Sequence, residues 1–255
     1  MDFPTRTTVA VATDRSIQRL GLFVFLYSLV SVSAQALSVI LPPDIDYTDL
    51  HKAAHECDME KARLALDVLL SETNDNEMNK PDREGYTPLA YAASSGCSEV
   101  VRLLVEQGAA VDAMDNQTRW TPLLRAASQR HADVVRYLLA HGANVDAKAA
   151  FGQTPLTAAI LGSVFRDGPE GNHDETVQVL LSAGADIDLP GQFDWSPLMT
   201  AVLRGDAGLV KLLVGKGANL PARDKAGRTA LDFAEERDER EIGDILKNSR
   251  AAHSE

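Results

Sequence analysis

Two histidines and two cysteines are the residues whose types and spacing could do chemistry. His51 and His55 stand four residues apart, which on a helix places both rings on one face, as a shared metal would require. Cys57 and Cys97 are the two cysteines of the chain, and a disulfide between them would be stable in an oxidising compartment. The sequence has neither a Gly-rich phosphate loop, nor a Cys/His metal spacing, nor a Gly-x-Ser-x-Gly motif. We therefore predict no catalytic residues, no metal and no cofactor.

Aromatic residues recur directly before a Thr-Pro-Leu or Ser-Pro-Leu step. Trp120 lies in "RWTPLLRAA", Trp195 lies in "DWSPLMTAV", and Tyr86 holds the same position in an earlier segment. Phe151 and Phe193 lie two residues before that position in two of the segments. The whole chain holds 7 Phe, 5 Tyr and 2 Trp, so these five rings are a concentration. Such residues are common hot spots of protein interfaces.

The Thr-Pro-Leu steps belong to an internal repeat. Its six copies read "YTDLHKAA" (47–54), "YTPLAYAA" (86–93), "WTPLLRAA" (120–127), "QTPLTAAI" (153–160), "WSPLMTAV" (195–202) and "RTALDFAE" (228–235). Each is followed by a second amphipathic run: "EKARLAL" (60–66), "EVVRLLV" (99–105), "DVVRYLL" (133–139), "ETVQVLL" (175–181), "GLVKLLV" (208–214) and "EIGDILK" (241–247). Four copies close on a Gly-Ala step, at Gly108, Gly142, Gly184 and Gly217. Neighbouring copies are spaced by 34, 33 and 33 residues where no insertion intervenes.

This pattern resembles the ankyrin repeat, D-x-x-G-x-T-P-L-H-x-A-A with a later V-V-x-L-L-L-x-x-G-A. The resemblance implies an all-α solenoid of six helix-turn-helix units with short hairpin fingers. The residues agree physically: Pro suits the first position of a helix, the preceding Thr or Ser caps that helix, and the closing Gly suits a left-handed helix end. The resemblance also makes His51 the structural His of the repeat rather than a metal ligand.

The repeat sets the predicted domain boundaries. We expect a signal peptide at 1–36, a linker at 37–42, a tail at 252–255, and repeats at about 43–81, 82–115, 116–148, 149–190, 191–223 and 224–251. The end copies depart from the pattern as terminal caps should, since Asp49 and Ala230 replace the proline.

The amino-terminal segment predicts export. Arg6, Arg15 and Arg19 precede an apolar stretch of about 15 residues and the step Ala34-Gln35-Ala36, which are the three parts of a secretory signal peptide. The apolar stretch is shorter than the ~20 residues that span a bilayer. We expect cleavage after Ala36 and a periplasmic or secreted protein, most simply in a bacterial periplasm. An uncleaved membrane anchor is the alternative, and a secreted eukaryotic protein is a further one because Asn116-Gln117-Thr118 is a formal glycosylation site.

The resemblance places a partner-binding surface at the fingers. The positions before Thr-Pro-Leu are not needed for packing in the family and vary with the partner. We predict that Tyr86, Trp120, Arg125, Phe151, Phe193 and Trp195 bind a protein partner. The alternative is that these rings fold onto neighbouring fingers and shield them. An insertion of nine residues within 163–174 is a secondary contact candidate through Phe165, Arg166 and Asp167.

Charge limits the class of partner. The chain has 37 acidic and 25 basic residues, for a net charge of −12, so it repels phosphate backbones and anionic membranes. We expect another protein as the partner of a monomeric module that binds neither nucleic acid nor, after signal cleavage, a membrane, and a basic partner is compatible with the charge. Two roles fit: an accessory factor in oxidative-stress defence, or an immunity or inhibitor protein that occludes a toxin or enzyme. A hydrolase-like enzyme on this scaffold, which would need converging His, Asp or Glu side chains, is the alternative of another class.

A bridge between Cys57 and Cys97 is open at this point. Both fall in the bend between the first and second helices, in copies one and two, so a disulfide would link these copies covalently. Against it, neighbouring repeats stack about 10 Å apart, whereas a disulfide needs Cα atoms within about 7 Å. The two positions also differ by one in the alignment of the repeats.

Overall fold

The structure is a computed structural model that describes residues 47–72, 77–162 and 172–252 of the 255-residue chain. Contacts divide the chain into Met1–Asp44 and Ile45–Glu255, and the first of these units, with the predicted signal peptide and linker, lies outside the described residues. So do the insertion residues Phe165, Arg166 and Asp167. None of the helices in the described part has the length and apolar character of a membrane span.

Six helix pairs, without a strand, make up the described residues. The helices are α1 Tyr47–Glu56, α2 Met59–Glu72, α3 Pro88–Ser95, α4 Ser98–Glu106, α5 Pro122–Ser128, α6 Ala132–Ala140, α7 Pro155–Leu161, α8 Asn172–Ser182, α9 Pro197–Arg204, α10 Ala207–Gly215, α11 Ala230–Glu236 and α12 Arg240–Ala252. Two 3₁₀ turns lie at Glu77–Asn79 and Gln192–Asp194. This architecture confirms the predicted all-α solenoid of six helix-turn-helix units.

Four first helices begin as predicted, with a capping Thr or Ser followed by a proline. Thr87 and Thr121 have extended backbones, and their hydroxyls accept hydrogen bonds from the amides of Ala90 and Leu124. Thr154 and Ser196 cap α7 and α9 in the same way, and proline begins each of these four helices. In the first copy the pattern fails, because Thr48 lies inside α1. Each cap satisfies a backbone donor that the helix leaves unpaired, an effect worth about 1 kcal/mol.

The core is the interface between neighbouring copies. Each first helix packs against its own second helix and against the next first helix, while α2, α4, α6 and α8 form a second layer behind them. The alanine pairs of the first helices, such as Ala92 with Ala93 and Ala126 with Ala127, are fully buried and permit this close stacking. The closing glycines Gly108, Gly142, Gly184 and Gly217 have φ between 88° and 93°, which confirms the predicted left-handed helix ends.

Candidate partner-binding surface

Five fingers connect the second helix of one copy to the first helix of the next, and they lie on the first-helix side of the stack. We number each finger after the copy whose first helix it precedes, so the second finger is 82–86, the third 115–120, the fourth 149–153, the fifth 191–195 and the sixth 224–228. In each finger the backbone N–H of the first residue donates to the carbonyl of the last, over 2.9–3.0 Å. These bonds pair the backbone of each finger, and the last side chain, which is Tyr86, Trp120, Gln153, Trp195 or Arg228, is half-buried in every case.

A buried aspartate organises the third finger. The Asp115 carboxylate accepts hydrogen bonds from the backbone amides of Gln117 and Thr118 at 3.1 and 2.6 Å. It also accepts one from the Arg125 guanidinium at 2.7 Å. Burial alone would raise the pKa of Asp115, but the hydrogen bonds from Thr118 and the ion pair with Arg125 outweigh it and hold the pKa below its ordinary value. Asp115 is therefore a charged anchor for the loop that carries Trp120.

Arg125 links rings of two fingers. Its guanidinium carbon lies 4.1 Å from the ring centroid of Tyr86 and 5.2 Å from that of Trp120, within the range of cation–π attraction. Tyr86 packs edge-on against Tyr91, with centroids 5.3 Å apart. The Tyr91 hydroxyl in turn donates to Asp82 at 2.8 Å. We call Tyr86, Tyr91, Trp120 and Arg125 the amino-terminal ring cluster.

The residues of the amino-terminal ring cluster make most of their contacts within the chain. Only 19% of the Arg125 side chain is exposed, and Trp120 is half-buried against Leu124, Ala147 and Ala158. The predicted binding residues Tyr86, Trp120 and Arg125 thus lie together on the finger side, but they already contact one another and neighbouring fingers. Here the geometry resembles the alternative of rings that shield the fingers.

The last three fingers enclose an open cavity of about 360 Å³. Its lining includes Phe151, Phe193, Trp195, Asp224, Lys225 and Arg228, and we call it the carboxy-terminal cavity. Phe151 and Phe193 are 63% and 58% exposed. Trp195 is half-buried, with its ring 5.0 Å from Phe193 and 5.7 Å edge-on from Phe233. The structure therefore brings the predicted residues Phe151, Phe193 and Trp195 to one site.

The Phe193 ring at this cavity is carried by a strained backbone. Phe193 and Asp194 have φ of +61° and +60°, a region that costs a residue with a Cβ about 1–2 kcal/mol. Gly191 at the start of this finger cannot be enlarged freely, because a Cβ there would lie 2.9 Å from the Thr157 hydroxyl oxygen. The fifth finger is thus pressed against the fourth copy and bends sharply. Strain of this kind concentrates at functional sites.

The two cysteines are joined in the structure. Cys57 and Cys97 form a disulfide with Cα atoms 5.1 Å apart. The objection from repeat spacing applies to equivalent positions, and these are not equivalent. Cys57 occupies the left-handed bend after α1, with φ of +56°, whereas Cys97 follows the equivalent left-handed residue, Gly96, by one. This offset brings the two bends within bridging distance.

The histidine pair has local partners instead of a shared ligand. His51 donates through Nε2 to the Lys80 carbonyl at 3.0 Å, and His55 Nδ1 lies 3.2 Å from the Ser95 hydroxyl. Within the described ranges, no group of three or more His, Cys, Asp or Glu side chains converges as a metal site would require. His51 therefore bonds to the next finger, as the structural His of the repeat should.

The sequence analysis missed several residues of the surface. Asp115 and Asp224 hold the Asp position of the repeat pattern, a signal that could have identified them as finger anchors. Arg228 lies directly before the last cap and could have been found by the same rule that selected the Trp residues. Lys225, which lines the cavity, and Phe233, which contacts Trp195, gave no such signal, because both contacts depend on how the last two copies pack.

The fold and the finger surface together define a class of protein, the helical-repeat interaction scaffold. Residues 30–115 and 168–253 match the family model "Ankyrin repeats (3 copies)", and residues 104–159 match "Ankyrin repeats (many copies)". Because these matches cover more than half of the chain, it belongs to the ankyrin-repeat family. Ankyrin repeats are protein–protein interaction modules.

Similar proteins are consistent with this family, although the matches cover different fractions of the two chains. The chain is 36% identical over 69 residues to the human DNA-binding protein RFXANK, which is 27% of this chain and 25% of that protein. It is 45% identical over 38 residues to alpha-latrotoxin-Lh1a of Latrodectus hasselti, which is 15% of this chain and 3% of the toxin. The matched stretch thus spans a quarter or less of either relative. An ankyrin repeat domain from Acinetobacter baumannii AYE superposes with a TM-score of 0.66 at 30% identity, covering 80% of this chain and 98% of that one.

Proposed function

We propose that this ankyrin-repeat module is exported and binds one protein partner through its finger side, without catalysing a reaction. The observation that carries the proposal is the exposure of Phe151 and Phe193 at 63% and 58% on neighbouring fingers. Two such rings beside an open cavity cost free energy in water unless a partner covers them. A surface of this kind on a non-enzymatic scaffold supports binding.

The disulfide supports export. Disulfides persist in secreted and periplasmic proteins and are rare in the cytosol. The Cys57–Cys97 bridge therefore agrees with the signal-peptide pattern of residues 1–36. We propose a periplasmic or secreted location for the mature chain.

Export is tested by fractionation of cells that express the full chain, followed by amino-terminal sequencing. We expect the protein in the periplasm or medium, beginning at Leu37. A full-length protein in the membrane fraction would support the uncleaved anchor, and a full-length cytosolic protein would contradict export.

Two roles remain within this proposal. An accessory factor in oxidative-stress defence is the first, and an immunity or inhibitor protein is the second. The net charge of −12 favours the second wherever the partner is a basic toxin, because opposite charge speeds association. A neighbouring gene that encodes a catalase would support the first role, and one that encodes a secreted toxin would support the second.

Binding is tested by affinity capture from periplasm with the wild type and the double variant Phe151→Ala/Phe193→Ala. We expect the variant to retain its fold and to lose one specific partner. Leu70→Ala is the matched control, since Leu70 is an exposed apolar residue, at 44%, on α2 in the opposite layer. Capture of the same partner by wild type and double variant alike would contradict the proposed surface.

A further inference from the structure

Two arginines meet at the carboxy-terminal end of α7, the helix whose other end follows the fourth finger. The Arg130 guanidinium covers Gly162, since a Cβ at Gly162 would lie 2.1 Å from Arg130 Nη2 and 2.6 Å from its Cζ. Arg204 is the last residue of α9, and its Nη1 donates to the carbonyl of Ile160 at 2.9 Å and to that of Leu161. The third and fifth copies thus bring two cations to the end of the fourth.

The bend that carries Arg130 departs from the repeat. Copies two and five place a glycine at the left-handed position after the first helix, at Gly96 and Gly205. Copy three places Arg130 there, with φ of +61°, a conformation that costs a residue with a Cβ about 1–2 kcal/mol. The side chain then lies on Gly162, where any larger residue would displace the guanidinium. The bend therefore aims a cation at the fourth copy at some cost in strain.

The helix end explains Arg204 but not Arg130. The last carbonyls of a helix carry partial negative charge, which a cation such as Arg204 stabilises. Within the described part of the chain, by contrast, the Arg130 side chain makes neither a hydrogen bond nor an ion pair, and its Nε is buried without an acceptor. A buried donor left in this state costs about 1–3 kcal/mol. It calls for an acceptor beyond the described residues, which is either water or an anion.

The local charge favours an anion over water. Burial and the charge of Arg204 both lower the pKa of Arg130, whereas Asp206 acts in the opposite direction. The guanidinium nevertheless keeps its charge at neutral pH. Water would accept a hydrogen bond but would not offset the repulsion between the two cations. An anion does both, and hydrogen bonds between charged groups are the stronger ones.

The neighbouring acids favour an anion with a single charge. Asp206 caps α10, where its carboxylate accepts a backbone hydrogen bond at 2.9 Å. Glu239 lies over Gly205, because a Cβ there would be 3.0 Å from Glu239 Oε1. In the ranges that the structure describes, neither carboxylate pairs with either arginine. Both would repel a doubly charged sulfate or phosphate more strongly than a carboxylate, and a carboxylate matches the planar guanidinium.

We propose that Arg130 and Arg204 form a binding site for one carboxylate group. The group approaches from solvent, which reaches the exposed Arg204 and part of the half-buried Arg130, and it contacts the terminal nitrogens of both side chains. The site goes beyond the proposed function, since it includes none of the finger rings. Its ligand is either a free organic acid or an acidic side chain of the partner. A partner on the fifth finger can reach it, because the eight residues of α9 span only about 12 Å.

The test follows the arginine side chains by NMR. The purified ¹⁵N-labelled protein is titrated with sodium acetate, which replaces sodium chloride at constant ionic strength. We expect the Nε–H resonance of Arg130 and the amide of Gly162 to shift with a Kd on the order of 10 mM. Sodium sulfate should bind at least about threefold more weakly. Absence of shifts at about 200 mM acetate, or sulfate that binds more tightly than acetate, would overturn the carboxylate site.

Matched variants set the criteria, with the Gly162 amide as the common signal. Arg130→Gln and Arg204→Gln should each weaken acetate binding at least about fivefold. Arg237→Gln is the control, because the exposed Arg237 follows α11 and its loss changes the net charge equally. It should leave the Kd within about twofold of wild type, and an equal loss in all three variants would overturn the site. Arg204→Gln, at an exposed position, keeps the test decisive if Arg130→Gln does not fold.

The acids that follow Gly162 in sequence need their own arm. Asp167→Asn/Glu170→Gln should leave the Kd for acetate within about twofold of wild type. Acetate that binds at least about tenfold more tightly to this variant would show that these acids compete for the arginines, and would overturn a site for an external group.

Affinity capture from periplasm with Arg130→Gln/Arg204→Gln identifies the source of the carboxylate. Weaker capture of the partner assigns the site to an acidic side chain of that partner. Unchanged capture, together with lost acetate binding, assigns it to a free organic acid. Failure here is distinguishable from failure of the proposed function, because acetate binding requires neither Phe151 nor Phe193. Conversely, a protein that does not bind acetate but loses its partner in Phe151→Ala/Phe193→Ala retains the finger surface without this site.

Discussion

The Arg125 guanidinium lies 2.7 Å from an Asp115 carboxylate whose side chain has 0% exposure to solvent. The pair joins the start of the third finger to α5, the helix which that finger precedes. Because Arg125 also contacts Tyr86 and Trp120, one charged pair positions the rings of two neighbouring fingers. The amino-terminal ring cluster is therefore held by this charged pair as well as by the packing of Trp120 on buried apolar residues.

Asp115→Asn should destabilise the fold by about 2 to 4 kcal/mol, because it removes the charge that Arg125 and the finger amides share. Asp133→Asn is the control: Asp133 pairs with Arg136 at 2.8 Å on the surface, where the two side chains are 81% and 54% exposed, and its loss should cost less than about 1 kcal/mol. Urea denaturation of both variants measures the difference. Equal midpoints would show that Asp115 is not an anchor.

The anchored carboxylates should make the protein sensitive to acid. Burial raises and hydrogen bonds lower the pKa of Asp82 and Asp115, and the hydrogen bonds win in both cases. In the unfolded chain these groups titrate near pH ~3.9. Their stabilisation is thus present above that pH and is lost as the pH falls through the lower folded pKa, because the unfolded state then binds more protons.

Urea midpoints measured between about pH 6 and pH 3 should therefore fall steeply at the acid end. The Asp115→Asn variant should show a shallower fall, since one of the contributing groups no longer titrates. A wild-type midpoint that does not change with pH would contradict the lowered pKa values.

Local chemistry explains why much of the fold was predictable from sequence. Thr121 and Pro122 fix the start of α5 through a cap and a restricted φ, which depend on neighbouring residues in the chain. Gly142 ends α6 for a similarly local reason. The proline of the cap recurs in the four internal copies and so does the closing glycine, and the end copies keep enough of the pattern for six repeats to be recognised without any knowledge of tertiary contacts.

The site was less predictable because exposure depends on neighbouring copies. Trp120 and Phe151 occupy comparable finger positions in sequence, yet Trp120 packs on Ala147 and Ala158 while Phe151 is exposed. The cavity arises only where the fourth, fifth and sixth fingers pack side by side. The disulfide was left open because repeat spacing describes equivalent positions, and the left-handed bend at Cys57 is offset from Cys97.

Alanine substitutions of Trp195 and Phe151 should distinguish a ring that stabilises the fold from a ring that is exposed for binding. The half-buried Trp195 contacts Phe233 and the main core, so we expect Trp195→Ala to cost about 2 kcal/mol. Phe151→Ala should stay within about 0.5 kcal/mol of wild type. Thermal melts monitored by circular dichroism compare the two variants. Equal losses of stability would show that the Phe151 ring also stabilises its finger.

Reduction of the Cys57–Cys97 disulfide should lower the stability of the first repeat. The bridge closes a separation of 40 residues, for which the chain-entropy model gives about 4 kcal/mol. Because α1 and α2 belong to the terminal copy and have neighbours on one side only, we expect hydrogen exchange to rise there first, with α9 to α12 unchanged. Cys57→Ser/Cys97→Ser should reproduce the effect without reductant. Two free thiols in protein purified without reductant would contradict the bridge.

Phe193→Gly should weaken binding without weakening the fold. Glycine removes the cost of a left-handed φ of +61°, about 1–2 kcal/mol, and this gain offsets the lost contact with Trp195. We expect the free energy of unfolding to stay level or rise by up to about 1 kcal/mol, while affinity capture from periplasm recovers less of the specific partner than the wild type does. Arg119→Gly is the matched control, since Arg119 has φ of +55° in the third finger and lies outside the cavity. It should give a similar gain in stability with unchanged capture of the partner. A loss of more than about 1 kcal/mol in Phe193→Gly would mean that the ring fastens the fifth finger, as the shielding alternative requires.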